Sequence, residues 1–295
     1  MIRLYQVFYD DATRQAIGPG FIPYDNRHPP VSGWFEYGCI RDILLNTDFA
    51  DDDRFGLFSP RLAEKTGLGA RDLIARCEAT DAAVVAFSPF LDQLALFPNV
   101  FAQGDFWHPG LIDVTREAFE RIGLDVDVVA ADHYADQTRS IFSNYFVARM
   151  DVWRIWFGYA ERLFDLCEHG TDALARRLNG TTDHRAVAGH YPLKIFVMER
   201  LICAVLEKLG LDAEIGLDYP RYAACNPEHA NAIDELLVLD ALKAQYRRTG
   251  HPAFRDLHRR RSAALDAWLR DRKRKPNDIY GDPARRLSLK GLLGR

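Results

Sequence analysis

The sequence is poor in the residues that staple a chain together or anchor it in a membrane. Its five cysteines (39, 77, 167, 203 and 225) are odd in number and widely spaced in 295 residues, with no C-x-x-C. That excludes a disulfide framework or a zinc ribbon and predicts buried thiols in a reducing cytoplasm. No apolar stretch approaches about 18 residues without a charge, so no transmembrane helix is expected. The opening MIRLYQVFYDD turns acidic at once and lacks the small-residue cleavage site of a signal peptide. G-x-G-x-x-G is absent after the first strand-like segment, and so are G-x-x-x-x-G-K-[ST], H-E-x-x-H and G-x-S-x-G. These absences argue against a standard dinucleotide fold, a P-loop, a zinc protease and an α/β-hydrolase. No interleaving of aromatic and basic residues marks a nucleic-acid platform. There is no internal repeat and no low-complexity segment.

What is there is the composition of a globular enzyme, 48% apolar and 27% charged. The net charge of −4 hides an asymmetry. Residues 254–295 carry 13 basic and 5 acidic side chains, a net of +8, which leaves −12 on the rest. A basic tail on an acidic body suits an anionic surface such as lipid headgroups, although docking of the tail onto the body itself needs no membrane.

Along the first two-thirds, strand-like and helix-like segments alternate. Residues 4–9, 54–58, 82–87, 127–130 and 140–148 read as strands, and 36–46, 70–80 and 109–122 as helices. The apolar run AAVVAF suggests a strand covered on both faces. The pattern predicts an α/β fold with a central mixed sheet flanked by helices. From residue 151 the reading is helical, with Trp153, Trp156, Phe157, Ala160, Phe164 and Cys167 as core. A helix of about 22 residues is expected between an Asn226-Pro227 start and a Gly250 stop. The division that follows is an α/β domain at 1–215 and a helical extension with a basic tail at 216–295.

In open α/β sheets, ligands gather at the carboxyl ends of the strands. Asp51, Asp52 and Asp53 precede the strand at 54–58 and are expected in a solvated loop. Ser59 and Arg61 follow that strand, and Asp92 and Gln93 follow the second apolar one. The segment NVFAQGDFWHPGL (99–111) reads as a glycine-bounded loop whose Phe106 and Trp107 either stack on a sugar or base or pin the loop to the core. Within it Asp105, then His108, is the choice of general base. Glu199 and Arg200 interrupt an otherwise apolar helix, so Glu199 is either half of an ion pair or a group facing a ligand. His184 and His190, six apart without acidic company, do not suggest a metal site.

Four regions in order, WFEYGCIRDILLN (34–46), FGLFSPR (55–61), NVFAQGDFWHPGLIDV (99–114) and the pair SNYFVARMDVWRIW and KIFVMERLICAV (143–156, 194–205), together resemble bacterial capsule and lipopolysaccharide glycosyltransferases with a GT-A-like fold. The resemblance spans roughly residues 1–215. It implies transfer of a sugar from a nucleotide-diphosphate donor to a glycan or lipid-linked acceptor in O-antigen or capsule synthesis. It also implies a cytoplasmic enzyme, peripheral at the inner face of the inner membrane through its basic tail, with no nucleic-acid partner. Tyr9, Asp10, Asp25, Asn26, Arg41, Ser59 and Arg61 are then candidates for the donor. Asp92, Gln93, Trp107 and Asn144 are candidates for the acceptor, and Asp105, His108 and Glu199 for catalysis. A divalent cofactor, Mg or Mn, belongs to such enzymes, but no clean Asp-x-Asp follows a buried strand here, so no metal ligand is assigned. A nucleotide-sugar hydrolase and a non-catalytic scaffold of a polysaccharide assembly are the alternatives.

Overall fold

The computed structural model describes residues 1–183, 190–225 and 227–270; His184, Asn226 and the far tail lie outside them. The chain opens with β1 (Ile2–Phe8), α1 (Asp11–Gln15), β2 (Ile22–Asp25), α2 (Phe35–Asn46) and β3 (Arg54–Phe58). Next come α3 (Leu62–Thr66), α4 (Ala70–Glu78), β4 (Val84–Ala86), α5 (Leu91–Leu96), α6 (Val100–Trp107) and α7 (Leu111–Ile122). β5 (Phe146–Arg149) leads directly into α8 (Met150–His169) and then α9 (Ala173–Asn179). A small hairpin, β6 (Thr181–Asp183) and β7 (His190–Pro192), precedes α10 (Leu193–Leu209). The chain continues through β8 (Glu214–Ile215), α11 (Tyr219–Cys225), α12 (Ile233–Thr249) and α13 (Pro252–Arg270).

Six strands form one mixed sheet in the order β2-β1-β3-β5-β4-β8. β5 runs antiparallel to both its neighbours, whereas the β1–β2, β1–β3 and β4–β8 pairings are parallel. Side chains alternate across a strand, so a sheet covered on both faces needs apolar residues at every position. The central strands meet that condition. Val84 and Ala86 pack with Phe55, Leu57, Phe146 and Trp153 on one face, under α2, α7, α8 and α10. Val85, Phe58, Tyr145 and Val147 pack on the other with Leu62, Leu73, Leu91, Leu236 and Leu265, from α3, α4, α5, α12 and α13. The C-terminal helices thus share a core with the sheet.

Several segments differ from the sequence expectation for local reasons. Residues 127–129 form a 3-10 turn, because the Asp125 carboxylate accepts the Asp127 amide at 2.9 Å and bends the chain. The expected loop at 99–111 is mostly helix α6, because the Asn99 carboxamide oxygen accepts the amides of Phe101 and Ala102 as an N-cap. The strand expected at 140–148 is confined to β5, since residues 143–144 form a turn just before it. Pro227–Ala232 forms a 3-10 turn ahead of α12. Asp53 is not solvated: it is 4% exposed and pairs with the Met1 amino group at 2.9 Å and with Arg3 at 3.2 Å. The side chains of Cys39, Cys77, Cys167 and Cys203 are buried free thiols. Among the described residues, no helix is long and apolar enough to cross a membrane.

Candidate functional site

The parallel strands β1, β3 and β4 point their carboxyl ends to one edge of the sheet, and the antiparallel β5 brings its amino end to the same edge. Two cavities open there. The first, of about 380 Å³, is lined by Glu36, Ser59, Lys65, Asn144, Tyr145 and Glu199, among others. The second, of about 340 Å³, is lined by Asp92, Gln93, Gln103, Trp107, His108 and Arg200, and again by Glu199. Ser143, Phe196 and Glu199 belong to both walls, so the two cavities are chambers of one cleft.

Three elements fix the shared wall. α10 is apolar on nearly every face and is therefore buried, which carries Glu199 and Arg200 into the interior. Arg200 is tied down by three acceptors: the Val100 carbonyl at 2.9 Å, the Phe196 carbonyl at 3.0 Å and Gln103 Oε1 at 2.8 Å. Gly104 makes this possible, because a Cβ there would lie 2.7 Å from Arg200 Nε and would collide with Leu111. Glu199 Oε1 accepts the Ser143 amide at 2.6 Å, and Oε2 lies 3.5 Å from Arg200 Nη1. Glu199 thus stands in an ion pair with Arg200, and its carboxylate lies on the cleft wall.

The amide that holds Glu199 belongs to a strained turn. Ser143 and Asn144 have φ of 58° and 51°, and the Tyr145 amide donates to the Phe142 carbonyl at 3.1 Å, so residues 142–145 form a type I′ turn. Phe35, with φ of 43°, is the other non-glycine residue of positive φ among those described, and it adjoins the wall residues Trp34 and Glu36. Strain of this kind collects at functional sites because the surrounding packing over-determines it. Trp34 anchors this wall: it is buried, its indole N–H donates to Glu168 Oε1 at 2.7 Å, and the Lys194 ammonium lies 4.3 Å from its ring centre.

The charges inside the first chamber act on one another. Burial pushes the Glu36 carboxyl above its ordinary range, and the Glu199 charge adds to the rise. Burial pulls the Lys65 ammonium down, assisted by the neighbouring Arg61. Burial raises the Tyr145 phenol to about 12, and its oxygen lies 2.7 Å from Ser59 Oγ. The second chamber is aromatic and amide-lined. Phe196 stacks on His108 at 3.6 Å between ring centres. Gln93 Oε1 accepts from Trp107 Nε1 at 2.9 Å and from Gln103 Nε2 at 3.1 Å, and Gln93 Nε2 donates to Asp92 at 2.5 Å. Flat apolar faces beside planar amides and a carboxylate form a surface that can accept a ring carrying several hydroxyls. No protein family, curated protein or solved structure matches the chain.

The cleft gathers Ser59, Asp92, Gln93, Trp107, His108, Asn144 and Glu199 from the sequence candidates. The others face different tasks. Asp105 accepts the amides of Gly110 and Ile112 at 3.0 and 3.1 Å, which caps the start of α7, and it is not among the residues lining the two chambers. Asp10 caps α1 through Thr13, Asp25 pairs with Arg27, and Tyr9 is exposed. The Asn26 amide donates to the Phe8 carbonyl beyond the end of β1. Arg41 makes a two-pronged pair with Glu161 at 2.8 and 2.9 Å, joining α2 to α8. Arg61 pairs with Glu64 at the surface. Glu36 and Lys65 were not among the sequence candidates. Glu36 stands in the first turn of an amphipathic helix and Lys65 in a short helix after β3, where a solvated charge is the ordinary expectation. Only the position of Lys65, seven residues past the carboxyl end of the strand at 54–58, carries a signal.

Proposed function

We propose that the chain is a glycosyltransferase that moves a sugar from a nucleotide-diphosphate donor to a glycan or lipid-linked acceptor in bacterial surface-polysaccharide synthesis. The observation that carries this reading is the position of Glu199 in the wall between two chambers at the carboxyl edge of the sheet. A transfer reaction needs two substrates to meet at one base, and a two-chamber cleft with a shared carboxylate supplies that arrangement. The mixed sheet flanked by helices supports a GT-A-like assignment.

In this reading the first chamber receives the donor's sugar and diphosphate, and the second receives the acceptor on Trp107, Gln93 and Asp92. Glu199 takes the proton of the acceptor hydroxyl, the acceptor oxygen bonds to the anomeric carbon, and the diphosphate departs with the electron pair of the broken bond. This is inversion by a single displacement. The Ser143 amide and Arg200 hold the carboxylate in place before reaction, so little reorganisation is needed at the moment of transfer. His108, clamped against Phe196, shapes the acceptor wall.

Glu199→Gln tests the assignment. The amide oxygen still accepts the Ser143 N–H, so the fold and donor binding are expected to persist while turnover falls by about a hundredfold or more, the usual worth of a general base. Turnover equal to that of the wild type removes Glu199 from the mechanism. Rapid loss of donor without any acceptor would instead favour a hydrolase.

A further inference from the structure

We propose that Lys65, with the Ser59 and Tyr145 hydroxyls beside it, forms a binding site for a phosphoryl anion. In this chain that cation takes the charge that a metal held by an Asp-x-Asp pair takes in the GT-A pattern. The inference rests on the glycosyltransferase reading only for what the anion is attached to.

The residues do not fit a metal–diphosphate site. Ser59, Pro60 and Arg61 stand at the carboxyl end of β3, where acids would be needed. The Asp51–Asp53 run lies at the strand's other end, with Asp53 bound to the Met1 amino group and Arg3, and Asp51 to Arg154 at 2.6 Å. Among the described residues, no three His, Cys, Asp or Glu side chains are grouped so as to hold a metal ion.

Lys65 has the opposite character. Its ammonium lies in the first chamber, 5.4 Å from the Tyr145 ring centre and 5.5 Å from that of Phe90. Among the described residues, no hydrogen bond or ion pair engages it. The neighbouring cations are occupied, Arg61 by Glu64 at 2.6 Å and Arg200 by its three acceptors. The Glu36, Glu64 and Glu199 carboxylates act on this half-buried ammonium without pairing directly with it, so part of the cost of its burial remains and an anion in contact with it relieves that cost. The Ser59 and Tyr145 hydroxyls carry two protons and spend one on their mutual bond, so the second remains to donate to a phosphoryl oxygen. Glu36 and Glu199 oppose an anion in the same chamber. Burial favours the neutral form of Glu36, and Glu199 faces the second chamber as well. In the transfer step the anomeric carbon's bond to the diphosphate oxygen breaks, its electron pair stays on that oxygen, and the charge so gained falls to Lys65, while the acceptor proton goes to Glu199.

Calorimetric titration of inorganic pyrophosphate, with EDTA present, tests the site on the wild type and on Lys65→Met and Lys65→Arg. The wild type is expected to bind, Lys65→Met to bind at least tenfold more weakly, and Lys65→Arg to retain most of the affinity. Equal binding by Lys65→Met overturns the proposal. So does wild-type binding that requires added Mg or Mn, or no binding at all. Should Lys65→Met lose its thermal transition, Lys65→Gln serves the same comparison. Nucleotide sugars form a separate arm. Pyrophosphate binding that depends on Lys65, without any bound nucleotide sugar, keeps the anion site and removes the glycosyltransferase reading. Nucleotide sugars bound equally by the wild type and Lys65→Met do the reverse.

Discussion

Ser143 sits at a φ that an L side chain rarely adopts, and its amide is the group that positions Glu199. Type I′ turns favour glycine or asparagine at both central positions, and this one has Asn144 second but serine first. Ser143→Gly keeps the amide and removes the Cβ strain. Thermal unfolding should show a variant at least as stable as the wild type, with a gain of up to about 1 kcal/mol after the extra freedom of glycine in the unfolded chain is subtracted. Ser143→Val should lose more than about 1 kcal/mol, because a branched side chain is worst at positive φ. A loss in Ser143→Gly would mean the strain assignment is wrong. At this scale the sequence is legible where a residue breaks its own context. Glu199 does so as a charge inside an apolar helix. Glu36, Lys65 and the Arg41–Glu161 pair do not, because each acquires its role from a partner far along the chain. Asp105 has the same character: its aromatic and glycine neighbours suggest a catalytic loop, and its carboxylate accepts the amides of Gly110 and Ile112 at the start of the next helix.

Strands and helices were legible where their pattern is local. The apolar run that holds β4, RFGLF at β3 and the periodic faces of α7 and α8 appear near their expected limits. Segments governed by a single cap, such as Asn99, or by an Asx turn, such as Asp125, were misread, because one side-chain hydrogen bond outweighs composition there. The docking of α13 also depends on particular residues. Leu265 is 3% exposed, and Trp268 and Leu269 pack against the second core, so the apolar side of this helix faces the body, while Arg261 pairs with the buried Glu235 of α12. His258, 1% exposed, donates from Nε2 to the Ala95 carbonyl at 2.9 Å, while its Nδ1 is buried without a hydrogen bond. Burial lowers its pKa to about 4. In the unfolded chain a histidine titrates near 6.5, so on acidification the unfolded state takes a proton that the folded state refuses. The contribution of His258 is therefore complete above about pH 6.5 and is lost as the pH falls towards about 4, on the order of 3 kcal/mol in all. Urea unfolding between pH 7.5 and 4.5 should be flatter for His258→Gln, which keeps a donor for Ala95, than for the wild type. Identical slopes would show that the imidazole is not the group responsible.

At the scale of the whole molecule, the second core joins the sheet to the C-terminal helices. Lys243 is fully buried, with its ammonium donating to the carbonyls of Leu94, Phe97 and Ala135 at 2.5, 3.2 and 2.7 Å. It closes the end of α5, the helix that presents Asp92 and Gln93 to the second chamber. A chain ending after Arg248 loses α13, and with it Leu265, Trp268 and Leu269, and uncovers the second-core side chains they pack against, such as Leu236 and Leu239. Each large apolar side chain is worth about 1.5–3 kcal/mol, so Tm should fall by on the order of 10 °C or more. A chain ending after Arg270 keeps α13 and loses the far tail, with its eight basic and three acidic residues. Equal stability of the shorter truncation would mean that α13 contributes little to the core. Binding to anionic vesicles at low salt by the full chain but not by the Arg270 truncation would assign the membrane contact to the far tail; equal behaviour would remove it. Whether the cleft takes a nucleotide-diphosphate sugar, as proposed, is measured by a thermal-shift panel of such donors. A matching donor at a hundredfold excess over its Kd adds about 2.7 kcal/mol, a rise of on the order of 5 °C. One nucleotide class is expected to raise Tm by that amount, and the free sugars are not. No shift from any nucleotide sugar at millimolar concentration would contradict the proposal.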